Sequence, residues 1–387
     1  MKFRGLRTIM WNSLVDISTK PICLIGFFFL PLFLFLLLPS LMESGLPTQI
    51  PAAIVDHDGT SLSRNVSQTL SSMQMVNTTE TPHSFTDARH MVQEGKIYGF
   101  FMIPENFQAD LLAGRAPEIT FYTNMTYFVP ASLLFKTFKS TAVYTKAGVT
   151  VSLLEAVGVN GNVSPLLQPV NIVSRPIGNP WVNYGIYLSN SFVPCVLQLM
   201  MMLMTCFSLG EEIKYKKSPE LLRLAGGNPY LAVFAKLLPQ TLIWIVIALF
   251  MEVWLFKFNH YPMHGSWFWL SVSQILFVLA SQGFALFFFC LLPNLRLSLS
   301  VCALLGILSF SIAAFSYPME SMYPALGIFS WILPIRYNFL IYIDLALNGR
   351  QLHYAGVWFA AYIVFIILPL TMVWRLRKEF AHPVYTP

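Results

Sequence analysis

Histidine and cysteine are the residue types in this chain best suited to metal binding or nucleophilic catalysis, and their placement favours neither. The 7 histidines lie in polar segments or beside apolar runs, and none belongs to an H-E-x-x-H motif. The 5 cysteines lie inside apolar stretches, where a thiol usually serves as a small packing residue. No serine–histidine spacing indicates a hydrolase. We therefore expect no metal site and no catalytic residue. An intramembrane enzyme is accordingly the least favoured function for this chain.

The sequence also has no recognisable nucleotide site. The P-loop motif G-x-x-x-x-G-K-[ST] does not occur. Gly226 and Gly227 stand before an apolar run, but they are not part of a phosphate-binding motif. We expect no cofactor in this chain. If the protein works with ATP, then ATP and Mg²⁺ must be held by a separate polypeptide.

The composition predicts a membrane protein. Hydrophobic residues make up 56% of the chain and charged residues only 11%, whereas a soluble domain usually has about 25% charged residues. The net charge of +6 is modest and forms no basic stripe, which argues against nucleic-acid binding.

Six apolar runs are long enough to cross a bilayer core, which needs about 20 apolar residues. A basic, amphipathic segment (1–20) precedes the first run and is typical of an interfacial helix. The predicted spans are 21–42, Tyr184–Leu209, Pro229–Phe256, Trp267–Leu292, Leu297–Phe315 and Tyr354–Trp374, so that spans 2–6 fall within 181–374 and a tail covers 375–387.

The long polar segment 43–180 between spans 1 and 2 reads as an α/β domain. Strand-like runs at Ile50–Val55, Ile97–Ile103 and Ile119–Thr123 alternate with helical patterns. A long helix is predicted at Ala131–Val157. The fold class is thus a mainly α membrane protein, with six transmembrane helices plus an α/β extracytoplasmic domain between helices 1 and 2.

Lysine and arginine near the span ends predict the orientation. An even number of spans places both termini on one side. That side is predicted to be cytoplasmic because it collects most of the cations: Lys2, Arg4, Arg7, Lys20, Lys214, Lys216, Lys217, Arg223, Arg296, Arg375, Arg377 and Lys378.

The segment 210–228, GEEIKYKKSPELLRLAGGN, is charged and amphipathic and lies between two spans. A short helix here could insert Leu221, Leu222 and Leu224 into a groove on a cytoplasmic partner. The alternative is an ordinary charged loop that anchors the topology. The spacing alone leaves both interpretations open.

The segment 316–337 is apolar but interrupted by prolines, which indicates a re-entrant element at the outer face. It would serve as an outer gate, and the alternative is a surface loop. Within the spans, four amides are candidates for lining a transport path, although interhelical hydrogen bonds are the simpler interpretation. These amides are Asn190, Gln198, Gln274 and Gln282.

Four motifs, which follow one another along the chain, resemble those of the type-2 ABC transporter permeases that have a large domain after the first span. Residues 51–66 (PAAIVDHDGTSLSRNV) are similar to the start of that domain, and residues 94–115 (EGKIYGFFMIPENFQADLLAGR) to its I-P-x-x-F stretch. Segment 210–228 resembles the family's coupling helix, with Ser218-Pro219 where members often have Gly-Thr. Tyr317-Pro318-Met319 and Leu333–Tyr337 resemble its late proline signature.

This resemblance implies a permease subunit of an ATP-driven exporter for an amphiphilic or drug-like substrate. Its partners would be separate ABC ATPase subunits, a second permease subunit (as a homo- or heterodimer), membrane lipid and, in a tripartite efflux system, a periplasmic adaptor and an outer-membrane channel. The expected location is the bacterial inner membrane. The alternative function is a membrane-anchored binding or receptor module without transport.

The resemblance also assigns residues to two roles. The ATPase-coupling residues would be Glu211, Glu212, Lys216, Lys217, Ser218, Pro219, Glu220 and Arg223. The outer-gate residues would be Tyr317, Pro318, Met319, Pro334, Arg336 and Tyr337.

Overall fold

The computed structural model describes residues 2–41, 45, 47–113, 115, 117–156, 183–315 and 317–384. The chain divides into two compact units, one formed by Met1–Gly45 with Pro176–Pro387 and the other by Leu46–Arg175. The end of the predicted extracytoplasmic domain, residues 157–180, lies outside the described residues.

The secondary-structure elements follow the predicted order, except that the strand β2 was not predicted. They are α1 (Lys2–Thr19), α2 (Pro21–Leu41), β1 (Ile50–Asp56), α3 (Ser61–Ser71), β2 (Val76–Glu80), α4 (Phe85–Gln93), β3 (Gly99–Ile103), α5 (Phe107–Leu112), β4 (Thr120–Thr123), α6 (Phe128–Ala156), α7 (Tyr184–Lys214), α8 (Ser218–Leu224), α9 (Pro229–Phe258), α10 (Trp267–Leu291), α11 (Leu295–Ile312), α12 (Pro324–Ser330), α13 (Pro334–Leu347), α14 (Leu352–Ile367) and α15 (Leu376–Ala381).

The smaller unit is built on a four-stranded sheet with the order β2-β1-β3-β4. β1 is parallel to β2 and β3, and β4 is antiparallel to β3. Successive side chains of a strand point to opposite faces. Phe101 and Ile103 therefore join the core that includes α3 and α6 residues, and Phe100 packs with Ala88 of α4. Helices thus cover both faces of the sheet.

The sequence did not reveal β2. Its residues Val-Asn-Thr-Thr-Glu contain a single apolar side chain, so they lack the alternation typical of a half-buried strand. The strand lies at the edge of the sheet, where few of its side chains need to be buried.

The larger unit contains six helical stretches that are long and apolar enough to cross a membrane, counted over the described residues. They are α2, α7, α9, α10, α11 and the continuous stretch Leu352–Ala381. α7 packs against α10 and α11, α10 packs against α9 and α14, and α1 lies along α9. Several spans extend beyond their predicted ends, notably α7, which continues to Lys214.

α12 and α13 form a pair bent by 78°, which is the geometry of a broken span or a re-entrant loop. The helical part reaches Leu347, ten residues beyond the predicted end at Tyr337, because α13 continues as a π-helical turn over Tyr342–Leu347. The bent pair thus begins within the predicted segment and continues beyond its end, and whether it is a re-entrant element at the outer face stays a prediction.

Candidate functional site

The charged segment after α7 folds into a short helix, α8, at one end of the helix bundle. The chain leaves α7 through Lys216, which has a positive φ of 54°. Pro219 then occupies the first turn of α8, where its missing N–H is not needed. After α8, Gly226 and Gly227 adopt φ values of 69° and 77° and lead into α9.

The apolar face of α8 points into its own chain. Leu221 and Leu222 are buried, and α8 packs against α1, α9 and α15. A Cβ atom on Gly5 would collide with the carbonyl oxygen of Leu224, so the backbones of α1 and α8 are in close contact. The prediction that Leu221 and Leu222 are available to a partner is therefore wrong.

The exposed face of α8 and of the preceding turn is charged. Lys216, Lys217, Glu220 and Arg223 are all exposed, and Pro219 lies among them. Arg223 forms a long ion pair with Glu220, with 3.8 Å between Nη2 and Oε1. Ser218, in contrast, is fully buried. A partner that reaches α8 would thus meet polar groups.

A buried ionic network lies beside α8. Lys236 of α9 is 4% exposed, and its Nζ donates to Glu212 Oε1 at 2.6 Å and to Asp16 Oδ2 at 3.0 Å. The Ser13 hydroxyl donates to the carbonyl oxygen of Lys236 at 2.8 Å. These contacts tie α1, α7 and α9 together.

A second ion pair extends the network to the junction of α1 and α2. Lys20 Nζ lies 2.6 Å from Glu211 Oε2 and 3.1 Å from Asp16 Oδ1. Asp16 thus accepts from two lysines. We call Asp16, Lys20, Glu211, Glu212 and Lys236 the inner cluster.

Asp16 and Lys20 of the inner cluster have shifted pKa values. Burial raises the pKa of Asp16, but the charge and hydrogen bond of Lys236, aided by Lys20, outweigh burial and leave the pKa below its usual value. Burial lowers the pKa of Lys20, but its hydrogen bonds to Glu211 and Asp16 outweigh burial and leave the pKa above its usual value. Both groups are therefore held in their charged forms.

The inner cluster borders a cavity of about 260 Å³. Asp16, Glu212 and Lys236 line one part of it, and Lys217 and Glu220 line another. The cavity connects the buried charges with the exposed charges of α8. Displacement of α8 would change the surroundings of the buried charges directly.

The predicted outer-gate residues are only partly brought together. Arg336 is 6% exposed, and its guanidinium lies 4.1 Å from the ring centre of Trp331. It also donates to Ala313 O at 3.4 Å and lies 3.3 Å from Met319 Sδ. The Tyr337 hydroxyl donates to Trp331 O at 2.7 Å.

Tyr317 and Pro318 do not join this arrangement. Both are exposed, whereas Pro334 is buried at the start of α13. Arg336, Met319 and Tyr337 thus form one packed group, and the Tyr317-Pro318 part of the signature lies at the surface. Whether this group acts as a gate stays a prediction.

The four predicted path amides are buried at different helix contacts. Asn190 donates within α7 to Ile186 O at 2.7 Å. Gln198 contacts Ser309 of α11 at 3.5 Å, Gln274 contacts Asn338 of α13 at 3.2 Å, and Gln282 accepts from Thr241 of α9 at 2.8 Å. Gln198, Gln274 and Gln282 thus make interhelical hydrogen bonds and Asn190 an intrahelical one, and whether any of the four lines a path stays a prediction.

Sequence reasoning missed three members of the inner cluster: Asp16, Lys20 and Lys236. Lys236 gave a usable signal, since it is an isolated charge inside a predicted span, and ionisable residues within spans are usually functional or paired. Asp16 and Lys20 gave a weaker one, as they are four residues apart on a predicted helix.

The fold defines the class of protein: a helical, membrane-spanning chain with one folded domain inserted after its first span. The family described as ABC-2 family transporter protein matches residues 22–375, from the first span into the last. The chain therefore belongs to the ABC-2 transporter family, as a type-2 ABC transporter permease. No curated protein is significantly similar to it. Permeases of this family associate with ABC ATPase components.

Proposed function

We propose that this chain is the permease subunit of an ATP-driven exporter and that α8 receives motion from separate ABC ATPase subunits. The observation that carries the proposal is the arrangement at α8: an exposed charged face, with the buried Lys236–Glu212 pair directly behind it. A charged surface suits contact with a soluble partner, and a buried ionic network suits the transmission of motion from α8 to the spans.

The proposed topology places both termini and α8 in the cytoplasm and the sheet-containing unit outside the bacterial inner membrane. It rests on the excess of lysine and arginine at one set of span ends. The bent α12–α13 pair then enters and leaves on the outer side, and the group around Arg336 is the proposed gate.

The finer parts of the proposal rest on the family resemblance. We propose that two permease subunits pair and that they export an amphiphilic or drug-like substrate, with ATP and Mg²⁺ bound by the ATPase subunits. A periplasmic adaptor and an outer-membrane channel would complete a tripartite system. Co-purification of the full chain with its neighbouring gene products tests each of these partners separately.

Charge reversal at Glu220 tests the coupling role. Glu212 is unsuitable for this purpose because it is buried against Lys236 and its reversal would disrupt the fold. Glu220 has a 67% exposed side chain. We expect Glu220→Lys to insert normally but to weaken permease stimulation of ATP hydrolysis about tenfold, the equivalent of ~1.4 kcal/mol at the subunit contact.

The control is the swapped pair Glu220→Lys/Arg223→Glu, which keeps the local ion pair of α8. If α8 contacts the ATPase through these charges, the swap should be as defective as the single variant. Full rescue by the swap would mean that only the local pair matters. Normal stimulation in both variants would remove α8 from the ATPase contact.

The proposed orientation of the chain in the membrane can be tested separately. The five native cysteines are buried, so new surface cysteines can be labelled in intact cells with a membrane-impermeant maleimide. We expect Phe128→Cys, at a 73% exposed position, to react from outside, and Arg223→Cys to react only after lysis. The reverse pattern would overturn the proposed orientation.

A further inference from the structure

A basic cavity of about 630 Å³ lies where the last span ends. Arg375, Arg377 and Lys378 line it, together with His382 and one carboxylate, Glu379. The volume is within the range of sites that bind small organic ligands, about 300–1,000 Å³. Cations outnumber the carboxylate, so the cavity suits an anion.

The three cations are not neutralised within the described part of the chain. Arg375, Arg377 and Lys378 are exposed and make no side-chain hydrogen bond or ion pair among the described residues. In contrast, Lys236 and Lys20 at the same end of the bundle are fully paired. The positive charge of the cavity is thus available to a ligand.

The surroundings of the cavity have the character of a membrane interface. Trp374 lines the cavity, is 62% exposed and donates its indole N–H to Thr371 O at 3.0 Å. A half-apolar, half-polar indole is typical of the boundary between lipid tails and water. Cys290, buried near the end of α10, and the half-buried Pro293 just after α10 add apolar surface.

An apolar groove of about 410 Å³ lies between α9, α10 and the last span. Leu286 of the groove and Cys290 of the cavity are one turn apart on one face of α10. On the other side, Val373 of the groove directly precedes Trp374 of the cavity. The residues that line the groove thus come within one helical turn of those that line the cavity, on both α10 and the last span.

We propose that this pair of cavities binds an anionic phospholipid, with the phosphate held by Arg375, Arg377 and Lys378 and an acyl chain lying in the groove along α10. Guanidinium groups bind phosphate oxygens with charge-assisted hydrogen bonds. Because α15 packs against α8, the lipid would bind at the end of the bundle that carries the exposed charges of α8.

The test uses the purified full chain and a competition between phosphatidylglycerol and phosphatidylcholine with identical acyl chains, with bound lipid counted by native mass spectrometry. We expect a preference for phosphatidylglycerol that falls about 30-fold in Arg375→Gln/Arg377→Gln, the equivalent of ~1 kcal/mol per cation. The matched control is Arg4→Gln/Arg7→Gln, which removes two exposed cations from α1, outside the lining of the cavity, and should lower the preference clearly less than Arg375→Gln/Arg377→Gln does.

A second variant guards against misfolding of the double variant. Lys378→Gln removes a single charge and should lower the preference about fivefold. An equal loss of the phosphatidylglycerol preference in the control variant would show that surface charge alone attracts the lipid and would refute the proposed site. Displacement of phosphatidylglycerol by millimolar inorganic phosphate would instead indicate a free-anion site, and no preference in the native chain would end the proposal altogether.

Discussion

Replacing Lys236 with methionine tests the inner cluster most directly. The change keeps an unbranched, largely apolar side chain, shorter only by the terminal ammonium nitrogen, and removes the charge. Lys236 Nζ lies 2.6 Å from Glu212 and 3.0 Å from Asp16, and the lysine side chain is 5% exposed. Loss of one partner from a buried ion pair usually destabilises a protein by about 3–5 kcal/mol, because the remaining charge stays buried and unpaired. Asp16 keeps Lys20 at 3.1 Å and is 29% exposed, so we expect the lower end, about 3 kcal/mol.

The assay is reversible unfolding in mixed detergent micelles, which gives the free energy of unfolding for each variant. Arg223→Met is the matched control, because its ion pair is 3.8 Å long and its side chain 79% exposed. Such a surface pair contributes at most about 0.5 kcal/mol here. Lys236→Met/Glu212→Gln should recover part of the loss, since it removes the unpaired carboxylate. If Lys236→Met were no less stable than Arg223→Met, the network would contribute nothing and the reasoning would be refuted.

Two further outcomes follow from the same region. The pKa of Asp16 is lowered on folding, so the stabilisation that Asp16 contributes is present above about pH 4 and is lost as the pH falls through its folded-state pKa. The pKa of Lys20 is raised on folding, so the stabilisation that Lys20 contributes is present below about pH 10 and is lost as the pH rises through its folded-state pKa. Unfolding measured from pH 3 to 11 should show a plateau between these limits, with a shallower acid limb in Asp16→Asn. Gly5→Ala should weaken ATPase stimulation, because the added Cβ pushes α1 away from α8. Gly356→Ala has open space at its Cβ position, so it should leave ATPase stimulation unchanged and be neutral or stabilising by about 0.5–1 kcal/mol. Equal ATPase stimulation in the two variants would argue against the close contact of α1 with α8.

The spans could be predicted because their signal is local. An apolar run of about 20 residues has few alternatives to a membrane helix, and each of the six predicted runs overlaps a helix of the structure. The span ends were less certain, since α7 continues through Gly210 and two glutamates to Lys214. Those glutamates are tolerated because Lys20 and Lys236 neutralise them, and partners this distant in sequence do not enter a hydropathy window.

The candidate site was predictable only in its exposed half. The charges of α8 are contiguous in sequence, so the segment 210–228 was recognisable as a unit. The buried half depends on contacts between residues 16, 212 and 236, which the sequence separates widely. The same limit applies to the leucines of α8: their amphipathic spacing predicted an apolar face but not whether that face would bind a partner or pack inside the chain.

Adjacent Glu211 and Glu212 explain how one helix end can hold two neighbours. Consecutive residues of a helix point about 100° apart, so Glu211 reaches Lys20 while Glu212 reaches Lys236. Only Tyr215–Lys217 separate the end of α7 from α8. A displacement of α8 that moves the end of α7 must therefore either break these pairs or carry α1 and α9 along. Breaking a buried pair costs about 3–5 kcal/mol. In the proposed exporter the three helices thus move as one body. Lys236→Met should loosen α9 from α7, whereas the Lys20–Glu211 pair still joins α1 to α7 and the Ser13 hydroxyl still bonds the backbone carbonyl of position 236.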